Sequence, residues 1–147
     1  MSSIASTKYI IKEIKMKALI LGDVCPSNES AKLFDEVKTK ELFNDTVDIF
    51  KSCDIKFVNL ECALTDHGTP IKKFGPPLKA PRETAEIMKS LGVTCCGLSN
   101  NHIFDYGIKG VDDTLDALEN NGIDYTGFGV DYEDSRKNYT FEKNGNK

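Results

Sequence analysis

Apolar residues along this chain come in short runs, each closed by glycine, asparagine or aspartate. Four of these runs read as strands feeding loops: "KALILGD" (17–23), "IKFVNLE" (55–61), "VTCCGLSNN" (93–101) and "IDYTGFG" (123–129). Between them the spacing becomes helical. Phe43, Val47 and Phe50 fall at i, i+4 and i+7, with Ile49 and Cys53 beside the stripe. Ile87 and Leu91 form a smaller i, i+4 pair, with Pro81 suited to the first turn and Gly92 to the position after the last. Ile108, Val111, Leu115 and Leu118 fall at i, i+3, i+7 and i+10, and Gly122 follows as a stop signal. The order helix, glycine, strand recurs at "SLGVTCC" and "NNGIDYT". Such alternation predicts an α/β fold with a largely parallel sheet and crossover helices.

Two segments depart from this rhythm. Asp66 to Pro81 holds four of the five prolines and reads as a long surface loop of the kind that binds ligands or forms lids. The tail from Tyr132 opens as a short helix, and "NYTFEKNGNK" then reads as one strand entering a turn at Asn144-Gly145.

At 147 residues the chain has one domain's length, with 19 basic against 23 acidic residues and a formal net charge of −4, so the basic footprint of a nucleic-acid binder is absent. Lys8, Lys12, Glu13, Lys15 and Lys17 interrupt the apolar groups near the N-terminus. They break up the core that a signal peptide needs, and no run approaches the length of a membrane span. The five cysteines (Cys25, Cys53, Cys62, Cys95 and Cys96) are odd in number and show no C-x-x-C spacing, which fits small buried apolar side chains in a reduced, cytoplasmic protein. A dinucleotide-binding reading fails because "GFG" (127–129) lacks the third glycine and follows the fourth strand.

Ligands of open parallel sheets collect at the carboxyl ends of the strands. Here the first strand delivers Asp23, the second Asn59 and Glu61, and the third Asn100, Asn101 and His102. The period of two puts Asn59 and Glu61 on one face. Singly, each residue has an ordinary reading as a cap, a turn former or a solvated carboxylate. Together they form a hard-to-borderline ligand set suited to Mn, Mg, Fe or Zn ions. A metal there would leave His102 as general acid or electrostatic stabiliser. Asp105, three residues further on, either caps a turn or orients the imidazole, and joins His102 as a candidate for catalysis. The remaining histidine, His67, reads as solvated in the long loop.

The ordered set "LGD", "NLE" with "ALT", "FGPP", "LSNNHIFDYGIKGVDDTLDAL" and "GIDYTGFG" resembles the CapA family of capsule, or poly-γ-glutamate, synthesis proteins, which are similar to calcineurin-like metallophosphoesterases. The resemblance runs from about Lys17 to the C-terminus, with residues 1–16 as an N-terminal extension. It implies an α/β sandwich with a dinuclear metal centre at the strand ends, of which residues 17–147 would be the N-terminal part. Asp23 looks like the first metal-binding aspartate, Glu61 takes the place of the bridging acid, Asn101 matches the asparagine of the "GNH" motif and His102 its catalytic histidine. Cys25 stands where the phosphoesterases have the histidine of D-x-H. The implied substrate is a phosphorylated, polyglutamate or polysaccharide-type compound. The alternative class is a catalytically silent module that associates with a partner, or with itself, through an unpaired sheet edge.

Overall fold

The computed structural model describes residues 16–27, 29–34, 39–143 and 145. The expected N-terminal extension therefore lies outside the described residues apart from Met16, as does Asn144 of the expected Asn-Gly turn.

The four expected strands form one parallel sheet. They are β1 (Ala18–Val24), β2 (Ile55–Leu60), β5 (Cys95–Gly97) and β6 (Asp124–Thr126), and they stand in the order β1-β2-β5-β6. This order never reverses, so right-handed crossovers deliver every connecting helix to the same face. The helices between β1 and β2 are α1 (Glu29–Phe34), α2 (Thr39–Phe43) and α3 (Thr46–Ser52). Helix α4 (Thr84–Ser90) precedes β5, and α5 (Gly107–Asn120) joins β5 to β6. Beneath them lies the core, where Val58 and Leu60 of β2, Cys96 of β5 and Leu98 meet Ala85 and Met88 of α4 and Val111, Ala117 and Leu118 of α5. The opposite face is thinly covered. Ile20 of β1 is 77% exposed, and at the other edge of the sheet the segment after α6 (Tyr132–Ser135) is tied to β6 through Thr126 Oγ1, which donates to Lys137 O at 2.9 Å.

A second, two-stranded parallel sheet pairs β3 (Ala63–Leu64) with β4 (Lys79–Ala80). The long loop therefore closes on itself instead of remaining irregular to Pro81. Helix α5 holds this small sheet down. Leu64 N donates to Thr114 Oγ1 at 2.8 Å, and the Thr65 hydroxyl donates to the buried Asp113 carboxylate. Gly110 permits the close approach, because a Cβ there would stand 2.7 Å from that of Tyr106 and 3.5 Å from that of Ala63.

Three expectations need correction. The stripe from Phe43 to Phe50 is broken into α2 and α3 at Asn44, whose φ of +48° is a left-handed conformation that asparagine tolerates and a helix does not. Ile108 is 65% exposed, whereas Val111 and Leu118 are buried and Leu115 packs against the core as expected; Gly110, Asp113, Thr114 and Ala117 complete the buried face, the small residues among them letting the helix approach β3. The tail expected as a strand has no ladder from 136 to 142. Its backbone carbonyl at Lys137 is taken by a side chain, and Lys143 pairs with Asp54.

Candidate functional site

Strand β1 gains one residue on β2 on its way to the site. Ile20 is paired with Phe57, but Asp23 is paired with Asn59, so a bulge absorbs an extra residue at Leu21-Gly22. Without it the parity of the strand would turn Asp23 toward the face of Leu60, which is wholly buried. The bulge returns Asp23 to the face of Asn59 and Glu61, as the geometry shows: Asn59 Nδ2 donates to Asp23 Oδ1 at 2.8 Å and also to Glu61 Oε2. Two carboxylates from neighbouring strand ends thus share one amide group.

The third strand end is organised by Asn100. Its Nδ2 donates to Leu60 O at 2.8 Å and lies 3.3 Å from Asn59 Oδ1, while its Oδ1 accepts from His102 N at 3.0 Å and Ile103 N at 3.1 Å. One side chain therefore fixes the turn and joins it to β2. Asn101 is placed differently. It is exposed, its backbone carbonyl accepts from Lys73 Nζ at 3.2 Å, and among the described residues its side chain has no hydrogen-bond partner.

His102 and Asp105 are brought together as the sequence suggested, with His102 Nδ1 at 2.7 Å from Asp105 Oδ2. A carboxylate only accepts, so this contact assigns the proton to Nδ1 and leaves the lone pair on Nε2. Asp105 is fully buried and collects three more bonds: from Lys73 Nζ to Oδ1, from Leu78 N to Oδ2 at 2.7 Å, and from Ile71 N to its backbone carbonyl at 2.9 Å. Burial pushes its carboxyl up, but the hydrogen bonds from Lys73, His102 and the Leu78 amide outweigh burial and hold it below the ordinary carboxylate range. Lys73, whose Nζ lies 3.3 Å from His102 Nδ1, is the site residue that sequence reasoning missed. The signal was a basic pair, Lys72-Lys73, inside the proline-rich loop.

Cys25 lies beside this cluster. A hydrogen bond with the Cys62 thiol lowers the Cys25 thiol to about 7, against burial, which pushes it up, and with the His102 imidazole assisting. That same bond, and then burial, push the Cys62 thiol far up.

The donor chemistry of the β1 and β2 ends suits a hard divalent cation, because both carboxylates already converge on a single positively polarised group, the Asn59 amide. Among the described residues, no three histidine, cysteine, aspartate or glutamate side chains converge closely enough to hold a metal. Asp23 and Glu61 are the pair that the fold supplies.

The chain is similar to known proteins over most of its length. A family model described as "Bacterial capsule synthesis protein PGA_cap" matches residues 17–147, and the chain belongs to this family. It is 24% identical over 131 residues to the "PGA biosynthesis protein CapA" of Bacillus subtilis, covering 87% of this chain and 34% of that relative. It is 28% identical over 135 residues to the "Capsule biosynthesis protein CapA" of Bacillus anthracis, covering 90% of this chain and 33% of the relative. A "probable polyglutamine synthesis accessory protein" of Mycobacterium tuberculosis is 31% identical over 84 residues, 57% of this chain and 22% of its own length. The chain thus spans about a third of the length of the two Bacillus relatives. Among the described residues no helix is long and apolar enough to cross a membrane.

Proposed function

We propose that this chain contributes to the making of a polyanionic capsule polymer of the poly-γ-glutamate kind, with chemistry at a phosphoryl or acyl centre assisted by a divalent cation. The observation that carries this reading is the convergence of Asp23 and Glu61 on the Asn59 amide, beside the His102–Asp105 pair. The family membership and the names of the relatives supply the polymer. Asp23 and Glu61 would hold the cation, with Asn59 between them and Asn101 as a further oxygen donor from the third strand end. When bound, such a cation would supply Lewis-acid polarisation of the phosphoryl or carbonyl oxygen at the centre under attack and acidify a coordinated water. His102, oriented through Nδ1 by Asp105, offers Nε2 to take or give a proton at the reacting group. Asp105 itself is buried behind the imidazole, so its part is positioning.

Titration of the purified chain with Mn²⁺, followed by loss of the free-ion electron paramagnetic resonance signal, tests this. Saturable binding that Asp23→Ala and Glu61→Ala each remove while the circular dichroism spectrum is kept supports the reading. Binding that is absent, or unchanged in both variants, overturns it.

A second reading, an association module, is favoured by β1. It is the terminal strand of the described sheet, seven residues long, with Ile20 exposed. Light scattering decides it: a concentration-dependent dimer lost in Ile20→Lys supports the module, and a monomer at all concentrations removes it.

A further inference from the structure

Two of the five cysteines meet where the chain leaves β1 and β2. Val24 is paired with Leu60, and Glu61 N still donates to Val24 O at 3.0 Å, so the two backbones run side by side beyond the ladder. Cys25 follows on one and Cys62 on the other, one residue out of step. Parallel neighbours about 4.8 Å apart and offset by one residue rise of about 3.3 Å have Cα atoms about 6 Å apart. Disulfides bridge Cα separations of about 4.4–6.8 Å.

The Cys62 side chain reaches toward Cys25: its Sγ lies 4.0 Å from Val24 O, the carbonyl of the residue just before Cys25. Their environments differ in a useful way. Cys25 is half-buried and lines a cavity of about 420 Å³ with Val24, Pro26 and Met88, whereas Cys62 is wholly buried behind it. A half-buried sulfur beside a wholly buried one on the neighbouring backbone is the arrangement of an attacking and a resolving cysteine. The adjacent Cys95 and Cys96 do not share it: both are buried in β5, where successive side chains point to opposite faces.

We propose that Cys25 and Cys62 form a reversible intramolecular disulfide when the protein meets a hydroperoxide. The Cys25 sulfur, as thiolate, attacks one peroxide oxygen. The O–O bond breaks and an S–O bond forms, so sulfur loses two electrons to the peroxide, and the departing oxygen takes a proton to leave as water or an alcohol. The Cys62 sulfur then attacks the sulfenic sulfur of Cys25. The S–S bond forms, and the hydroxyl leaves as water with the Cys62 proton. A dithiol reductant reverses the sequence by thiol–disulfide exchange. The bond would fasten together the backbones that carry Asp23 and Glu61, and it stands whether or not those carboxylates hold a cation.

The test treats the fully reduced chain with an equimolar amount of hydrogen peroxide, counts thiols in denaturant and maps the peptides without reduction. Two of the five thiols should disappear, with the Cys25 and Cys62 peptides joined and separated again by dithiothreitol. Cys25→Ser should keep all of its remaining thiols. Cys62→Ser should leave a sulfenic acid on Cys25 that dimedone traps. Retention of all five thiols in the natural chain, a bridge between any other pair, or a covalent dimer overturns the proposal. Should either serine variant fail to fold, the peptide map of the natural chain decides alone.

Discussion

Lys73 Nζ and Asp105 Oδ1 form an ion pair that fastens the loop between β3 and β4 to the turn carrying His102, across 32 residues of chain. Asp105 is the buried member, and it holds the imidazole and the Leu78 amide as well. Removing it leaves several donors facing a dry interior. Asp105→Ala should therefore destabilise the fold by about 3–5 kcal/mol, as breaking a buried pair does. Urea denaturation measures this, and a shift within about 0.5 kcal/mol, the size of an ordinary surface substitution, would mean that the loop is held by other contacts.

The same carboxyl predicts a pH dependence. Its pKa in the fold lies below the ordinary aspartate value of about 3.9 despite burial, through the bonds from Lys73, His102 and Leu78. A depressed carboxyl contributes stability that is fully present above the unfolded value and is lost as the pH falls through the folded one. The urea midpoint of the natural chain should fall on acidification past about pH 4. The gap between it and Asp105→Asn should narrow over the same window. A gap constant with pH would contradict the depressed pKa.

Asp113 offers a contrast between two ends of one ion pair. Lys109 lowers its pKa most, followed by the Thr65 hydroxyl, against burial. Asp113 is buried and Lys109 is mostly exposed. Asp113→Ala should cost about 1–3 kcal/mol, the penalty of leaving the buried Thr65 hydroxyl, which still accepts from His67 N, with no acceptor for its own proton. Lys109→Ala should leave the midpoint nearly unchanged, because an exposed cation is readily replaced by water. Equal effects in the two variants would place the energy in the surface pair instead.

The fold's rhythm was legible because its signals are local. Glycine after a helix and apolar residues before a polar strand end need no distant partner, and all four main strands and the helical character of the intervening segments came from them. The convergence of Asn59 with Glu61, and of His102 with Asp105, was also legible, from a period of two and from a spacing of three. Asp23 was assigned to the right edge, yet the bulge that turns it there was not, because a slip of register belongs to the pairing of two strands and not to either one. Lys73 was missed for a related reason: it reaches His102 only once the proline-rich loop has been closed by β3 and β4. Sequence alone grouped Asn101 with the carboxylates, whereas in the structure Asn100 makes the link to β2.

Gly127 tests the packing behind this edge. Its φ is +83°, and a Cβ there would stand 2.7 Å from Ser99 Cβ and 3.0 Å from Ser99 N. Gly127→Ala combines a strained backbone with a collision against the segment that leads into Asn100. Strain of this kind costs on the order of 1–3 kcal/mol, readable in the thermal midpoint. An unchanged midpoint would show that the loop after β6 moves freely away from Ser99.

The bonds that Asp105 makes to the proline-rich loop also set its timing. Ile71 N ends on the backbone carbonyl of Asp105 and Leu78 N on its carboxylate, one from each arm of the loop. Neither amide can meet solvent deuterium unless that arm lets go of the same residue. If the loop lifts as a unit, the two amides share one protection factor, and it measures the opening equilibrium in which Lys73 leaves His102.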